Sequence, residues 1–299
     1  MVHDGWHQIA FESDIVDDLT PVEIGQRRLL IVRAGDLLRV VDADCPHRGA
    51  HLAAGQLARN VVVCPFHGYR IGLDNATDAE CDHGLRVRSY PSLVAAGAVF
   101  ACLSDTHDRG LNSALQDLLA KYWTVGSLTY HVNCPASLVS ENGFDAAHFR
   151  HVHDIHWVLE FATCSTADGA LIADGLFEIS VADRLQPEAL RSLRRISYRC
   201  TAFAPGLILS YLGGGFPYAI LTGATPTRTG GTTLRLTFAL PPGAHNAQTM
   251  LAYFRAGLEK DRAIWETLAP SASPGFTPHD SPVIAFRRFC TDFEAKERL

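Results

Sequence analysis

Two short segments constrain this chain more than any others: Cys45-Pro46-His47 and, sixteen residues later, Cys64-Pro65-Phe66-His67. They lie in the contexts CPHRGAHL and CPFHGYRIG, so each offers one thiolate and one imidazole on a turn-rich stretch. A two-iron, two-sulfur cluster in which one iron takes two cysteines and the other two histidines needs this pairing. Each segment can then give its Cys to one iron and its His to the other. The neighbouring Pro and Gly residues let two tight turns close over the cluster and aim backbone amides at its sulfurs. A structural zinc site is the rival, but zinc fingers group both cysteines on one knuckle and both histidines on the other. The interleaved order argues against zinc and makes Cys45, His47, Cys64 and His67 the candidate ligands.

With 299 residues and 47% hydrophobic content the chain can bury a sizeable core, and two domains are expected. The formal charge of -6 is mild and Lys and Arg are scattered, which excludes the basic footprint of a nucleic-acid binder. The longest apolar run, Leu93 to Leu103, contains Gly97 and falls well short of the ~20 residues that span a bilayer, so no membrane crossing is expected. The N-terminus lacks the basic start, apolar stretch and small-residue cleavage site of a secretory signal, and a cytoplasmic location is the expectation. The eight cysteines are then thiols or metal ligands. Cys81, Cys102, Cys134, Cys164, Cys200 and Cys290 are read as small buried residues.

Residues 1–108 consist of short β-rich runs broken by Gly, Pro and Asp, such as Arg28 to Val32, Leu37 to Val41, Val61 to Cys64, Leu85 to Tyr90 and Ala98 to Leu103. This predicts an all-β domain with both Cys-His segments on its loops. The polar stretch Ser104 to Arg109 reads as a boundary, followed by a helical pattern through Lys121. Residues 109–299 mix strand-like segments, Leu207 to Leu212 and Thr232 to Leu240, with helices predicted near 136–149 and 247–268. That domain is α+β, as is the chain as a whole. Gly213 to Gly215 lacks the strand-loop-helix context of a nucleotide site and reads as a turn.

A second constellation lies in Glu141-Asn142-Gly143-Phe144-Asp145-Ala146-Ala147-His148-Phe149-Arg150-His151-Val152-His153. The spacing of Asn142, Asp145 and His148 predicts one shared helical face, with His153 beyond the helix end. Taken without context, such a stretch is more often polar surface or a satisfied helix end. Further on, Leu251, Phe254, Leu258 and Trp265 form an apolar stripe at helical spacing, and Asp261 falls on it. A buried carboxylate there asks for a cation, either a metal or a salt bridge to Arg255 or Arg262.

The pattern Asn-x2-Asp-x2-His-x4-His downstream of the paired Cys-His loops resembles the mononuclear iron motif of Rieske non-haem iron oxygenases, in their terminal oxygenase component (alpha subunit). The resemblance covers the Rieske loops, this segment and the C-terminal helix. Ala50 and Phe66 stand where Rieske proteins of the respiratory bc type have a further pair of cysteines, so the first domain is similar to those of oxygenases and their ferredoxins. Tyr69 stands where many relatives have Trp.

The resemblance implies a catalytic domain with an antiparallel sheet and flanking helices, a [2Fe-2S] Rieske cluster and a mononuclear Fe(II). It matches His148 and His153 to the histidine ligands, and neither His151 nor His156 to any. The third ligand is then a carboxylate. Asp261 precedes an Ile-Trp pair (Asp261-Arg262-Ala263-Ile264-Trp265) as in the 3-ketosteroid hydroxylases of the family, and stands ahead of Glu141, Asp154 and Asp174. The run Asp280 to Val283 and Arg287-Arg288-Phe289 also resembles that subgroup.

In the family the aspartate matching Asp145 bridges two metal centres, here His148 and His67 of the partner subunit, which implies a ring-shaped homotrimer. Asn142 matches a residue close to that bridge. The expected activity is O2-dependent hydroxylation, as a monooxygenase, of an apolar, steroid-like or polycyclic substrate. The same iron chemistry supports dihydroxylation as in a dioxygenase, oxidative demethylation or desaturation. No dinucleotide fingerprint is present, so electrons are expected from a separate NAD(P)H-dependent reductase, with or without a ferredoxin. The strands around 200–240, the expected pocket, carry only Arg228 and Arg235 as charged residues. The alternative from another class is a Rieske electron carrier with a non-catalytic second domain.

Overall fold

The structure, a computed structural model, describes residues 2–104, 108–153, 155–181, 192–244, 247–269 and 274–294. The candidate Asp154 lies outside the described residues. The chain divides into two compact units, one of Met1–His107 with Thr225–Thr229 and one of Asp108–Ala224 with Gly230–Leu299.

The described residues of the first unit form ten strands: β1 (Trp6–Phe11), β2 (Leu19–Ile24), β3 (Arg27–Ala34), β4 (Leu37–Asp42), β5 (Gln56–Ala58), β6 (Val61–Val63), β7 (Arg70–Gly72), β8 (Ser89–Tyr90), β9 (Ser92–Ala95) and β10 (Ala98–Cys102). They form sheets of order β2-β3-β4-β8, β1-β10-β9 and β5-β6-β7. Strand β3 shows why the domain holds together. Leu29, Leu30, Ile31 and Val32 are each 0% exposed, because alternate side chains enter two different cores. Leu30 and Val32 pack with Val41, Leu52, Val62 and Ile71 around Cys45 and Cys64, while Leu29 and Ile31 join Ile9, Val40 and Val99.

The apolar run from Leu93 is a hairpin, β9 and β10, turned by Ala96 and Gly97 at φ of 53° and 73°. The strand expected over Leu85 to Tyr90 is shorter than its composition suggests. Only Ser89 and Tyr90 pair, with Val41 and Val40, and the preceding residues follow β7 through a single bridge between Gly72 and Arg86. Arg228 lies in the 225–229 segment and pairs with Glu23 at 3.2 Å.

His7 is buried on β1, stacked on His3 at 4.0 Å with its Nε2 3.0 Å from the His3 carbonyl. Burial, outweighing that hydrogen bond, pushes its imidazole down to about 4. The unfolded chain then binds more protons below pH 6.5, so stability falls as pH drops from 6.5 toward 4, by up to about 3 kcal/mol. Urea unfolding at pH 6.5 and 4.5 is expected to show this slope in the native chain and a flatter one in His7→Asn.

In the second unit α1 (Leu111–Lys121) leads to β11 (Trp123–Val132), then α2 (Ala136–Glu141) and α3 (Ala146–Val152). A meander follows: β12 (Trp157–Ser165), β13 (Leu171–Val181), β14 (Ser192–Ala204), β15 (Leu207–Leu212), β16 (Tyr218–Pro226) and β17 (Thr232–Leu240). The seven-stranded sheet has the order β11-β17-β16-β15-β14-β13-β12, so the meander ends beside the strand that precedes it. Gly213 to Gly215 is the turn between β15 and β16. Two helices close the chain, α4 (Ala247–Trp265) and α5 (Ser281–Glu294).

Leu258 and Trp265 of α4 are buried against Val132, Ala224, Leu234 and Leu236, with Phe254 stacked on Phe238 at 5.0 Å. Gly126 admits this contact, since a Cβ there would lie 2.9 Å from Leu251. Phe286 of α5 is 0% exposed and stacks on Phe144 at 4.7 Å. Phe286→Ala is expected to lower unfolding stability by about 3–5 kcal/mol, read by denaturant titration. No described helix is long and apolar enough to cross a membrane.

Candidate metal centres

The two Cys-His loops are built on one frame. Gly49 N donates to Cys45 O at 2.8 Å and Gly68 N to Cys64 O at 2.9 Å; Cys45 N and Cys64 N each donate across the loop, to Ala50 O and Tyr69 O, both at 2.8 Å. Gly49 and Gly68 share φ of 72°, a left-handed conformation that a side chain would strain. The cysteines thus occupy equivalent positions, while the histidines are offset by one residue. Cys45 and Cys64 are 3% and 2% exposed, whereas His47 and His67 are exposed with rings 4.8 Å apart, edge to face.

Burial, followed by the nearby Cys64, pushes the Cys45 thiol up against the favourable amides of His47 and Arg48, so the thiolate needs a cation. Desolvation and then the neighbouring His67 hold His47 below its ordinary value, which favours the neutral imidazole that ligation requires. Two inner thiols facing two outer imidazoles fit a cluster with one cysteine-bound and one histidine-bound iron. Cys81-Asp82-His83 repeats the Cys-x-His spacing but does not join the site, because the Cys81 thiol donates to Thr77 O at 3.3 Å. Of the cysteines expected to be buried, Cys164 is exposed and Cys290 half-buried; no described cysteine is in a disulfide.

The helix predicted over 136–149 is broken. Helix α2 ends at Glu141, a 3-10 turn covers Asn142–Phe144, and Asp145 takes extended φ and ψ of -107° and 99°. Its Oδ1 accepts from Ala147 N at 2.9 Å and His148 N at 3.0 Å, which makes Asp145 the N-cap of α3. Aspartate satisfies a helix start better than a helix interior. Asn142, Asp145 and His148 therefore do not share a helical face; Asn142, half-buried, lies in the turn with its carbonyl accepting from Asp145 N at 3.3 Å. Asp145 bonds the main chain of His148 and not its ring, and no described residue donates to Oδ2.

His153 ends α3 and turns back toward α4. His148 Nε2 lies 3.0 Å and His153 Nε2 3.1 Å from Asp261 Oδ1, and the two nitrogens are 3.1 Å apart. Gly257, one turn before Asp261, lies beside the His153 ring, where a Cβ would meet Nδ1 at an ordinary contact distance of 3.7 Å. Lys260 Nζ donates to Val152 O at 3.0 Å and ties α4 to the end of α3. Burial raises the Asp261 carboxyl, but the two imidazoles outweigh it and hold the group below the ordinary range.

This triangle tests whether the residues fit a metal. Three donors about 3.05 Å apart seat an ion at about 2.2 Å if the ligand angles are 90°, the edge divided by √2. Tetrahedral angles would require about 1.9 Å, shorter than the ~2.0–2.1 Å of zinc to nitrogen. Donors this close could share one ion, and two imidazoles with one carboxylate is a donor set that suits iron(II). Within the triangle two ring nitrogens crowd one carboxylate oxygen, which a shared cation would relieve.

The rival explanations for these acids resolve by pairing. Arg262 contacts Glu259 at 3.4 Å instead of Asp261. Glu141 is held by Arg287 through bonds of 2.5 and 2.8 Å, and Asp174 by Arg199 at 2.6 and 2.9 Å. His151 and His156 are exposed and border a hollow on the outside of α3 with Ala147, Arg150 and Ile155. Sequence reasoning missed the ties of Lys260 to Val152 and of Arg287 to Glu141, because no linear spacing announces a contact between distant elements.

Comparison with known proteins identifies the family. Residues 5–91 match the family described as the Rieske [2Fe-2S] domain, and residues 113–293 that of the 3-Ketosteroid 9alpha-hydroxylase C-terminal domain. The chain belongs to the Rieske oxygenases. Members of this family carry the [2Fe-2S] cluster and a mononuclear iron. This Rieske oxygenase is 26% identical over 169 residues to cholesterol 7-desaturase nvd of Drosophila melanogaster, covering 52% of the chain and 39% of that protein. It is 28% identical over 137 residues to a vanillate O-demethylase oxygenase subunit of a Pseudomonas species, covering 44% of the chain and 42% of that protein. The matched regions thus span about two fifths of these relatives' own lengths. The fold is that of the Pseudomonas putida CBB5 NdmA QL mutant with caffeine, at TM-score 0.74 and 15% identity over 98% of the chain and 91% of that structure.

Proposed function

We propose that this chain is the terminal oxygenase of a multicomponent system, taking electrons from a separate NAD(P)H-dependent reductase and using O2 to hydroxylate an apolar substrate. The observation that carries the reading is the facial triangle of His148, His153 and Asp261 in a chain that also bears the paired Cys-His loops. A chain that only carried electrons would have no use for it. When bound, the cluster supplies electrons singly and the ferrous ion supplies oxygen activation.

The protein's own part is to hold donors. Cys45 and Cys64, inside the domain, would supply the thiolate ligands of the cluster, and His47 and His67, at its surface, the imidazole ligands. His148, His153 and Asp261 would hold the mononuclear iron. The match to the 3-ketosteroid hydroxylase domain supports a steroid-like or polycyclic substrate, and the apolar strands β15 and β16, with Leu207, Ile208, Leu209 and Leu221 buried, supply no charged group. The desaturase relative favours a second outcome, removal of two hydrogens. Product mass spectrometry separates the two, since hydroxylation adds one oxygen atom and desaturation adds none.

Asp145 is the bridging carboxylate of this reading, with His148 on one side and His67 of the partner subunit on the other in a homotrimer. The helix cap occupies only Oδ1, and among the described residues none donates to Oδ2, which supports the role. Asp145→Asn keeps a cap of equal quality while deleting the charge. The variant is expected to retain its iron and its Rieske spectrum, while oxidation of the prereduced cluster by O2 with substrate slows roughly 10–100-fold. An unchanged single-turnover rate would remove Asp145 from the electron route.

A further inference from the structure

Asp145 and His148 take their positions from the segment just before them, Glu141 to Phe144, and side chains from distant elements hold consecutive parts of it. Arg287 grips Glu141 with two hydrogen bonds, and Phe286 stacks on Phe144 at 4.7 Å. Tyr198 of β14 donates its hydroxyl to the Gly143 carbonyl at 2.8 Å, within the buried interior. Of these supports, Tyr198 is the one that also reaches past the ligand. Its ring meets Phe149, the residue after His148, edge to face at 4.9 Å.

Gly143 is seated on the sheet so closely that a Cβ would lie 2.9 Å from Cys200 Sγ, 3.1 Å from Ile208 Cδ1 and 3.4 Å from the Tyr198 hydroxyl. The carbonyl therefore has little freedom to find another donor, and a buried carbonyl without one is unfavourable.

We propose that Tyr198 is a positioning residue for the mononuclear iron site. Its hydroxyl on Gly143 and its ring on Phe149 fix the break between α2 and α3, and so set where Asp145 and His148 point. Displacements well under an ångström matter at such a site, because three donors from two helices must meet one ion. The inference rests on His148 being an iron ligand, as proposed above.

The test uses the full chain. Tyr198→Phe keeps the ring and deletes the hydrogen bond, and ferrous iron affinity is read anaerobically by chelator competition, with the paramagnetic resonance signal of the iron-nitrosyl adduct reporting ligand geometry. The affinity is expected to weaken roughly tenfold and the nitrosyl signal to change, while the Rieske spectrum stays as in the parent. Phe177→Leu is the control, since Phe177 packs on Phe149 at 5.0 Å and on Tyr198 at 5.1 Å without bonding the 142–145 segment. It is expected to lower thermal stability and leave iron affinity unmoved.

A second arm approaches from the other partner. Gly143→Ala is expected to weaken iron binding, and adding Cys200→Ala, which removes the closest obstruction, to restore part of it; this pair decides the matter if Tyr198→Phe does not accumulate. The inference is overturned if Tyr198→Phe binds iron as the parent does, if Phe177→Leu weakens binding equally, or if Cys200→Ala gives no restoration. A parent chain that takes up no iron at this centre overturns the functional reading and this inference with it, whereas an intact parent site with an unmoved Tyr198→Phe overturns the inference alone.

Discussion

Asp261→Ala is expected to cost the chain one iron and O2-dependent turnover together, while the Rieske signal persists. Asp261 is the anionic corner of the triangle, and the neutral imidazoles of His148 and His153 cannot balance a divalent ion between them. The two imidazoles hold this carboxyl below its ordinary range despite burial, so in the iron-free fold the carboxylate is net stabilising and its removal costs some stability. Turnover is expected to fall roughly a thousandfold or more, with the iron-free protein destabilised by about 1–3 kcal/mol. Metal analysis beside paramagnetic resonance of the reduced protein checks both halves. Unchanged iron content would mean that another group supplies the third donor.

Cys64→Ala produces the converse pattern. The cluster needs all four donors, so its loss is expected to be complete, and with it reductase-dependent turnover. Stability should suffer too, for two reasons. Cys64 is 2% exposed in the core with Leu30, Val41 and Ile71, and its truncation leaves a void. The binding free energy of a metal centre is also folding free energy when the site exists only in the folded state. The first unit is therefore expected to lose several kcal/mol, while iron at the second centre is retained. Cys81→Ala is the matched comparison: equally buried but turned to Thr77 O, it should keep the cluster. A visible spectrum surviving in Cys64→Ala would show that the ligand set is wrong.

Much of this site is written locally. The Cys-His loops are legible because cysteine, proline, histidine and glycine at those spacings have few alternative uses, and Gly49 and Gly68 serve turns that four or five residues complete by themselves. Asp261 was legible from helical periodicity, since an acid on the apolar stripe of Leu258 and Trp265 stands out. The helix over 136–149 misled for an equally local reason. Its apolar spacing continues through Asp145, and only the preference of aspartate for a cap, reinforced by the grip on Glu141, Gly143 and Phe144, decides that the helix stops and restarts. The Leu85 to Tyr90 strand failed because pairing depends on a neighbour within reach, which composition does not report.

Taken alone, the order of residues determined which donors exist, their chemical types and the turns or stripes that present them, because those properties extend over a few residues. Only tertiary structure decided that the imidazoles of α3 and the carboxylate of α4, more than a hundred residues apart, meet with edges of 3.0–3.1 Å. Such a distance is set by how two helices pack on one sheet, through Leu258, Trp265, Tyr198 and Arg287, and packing is a property of the whole unit.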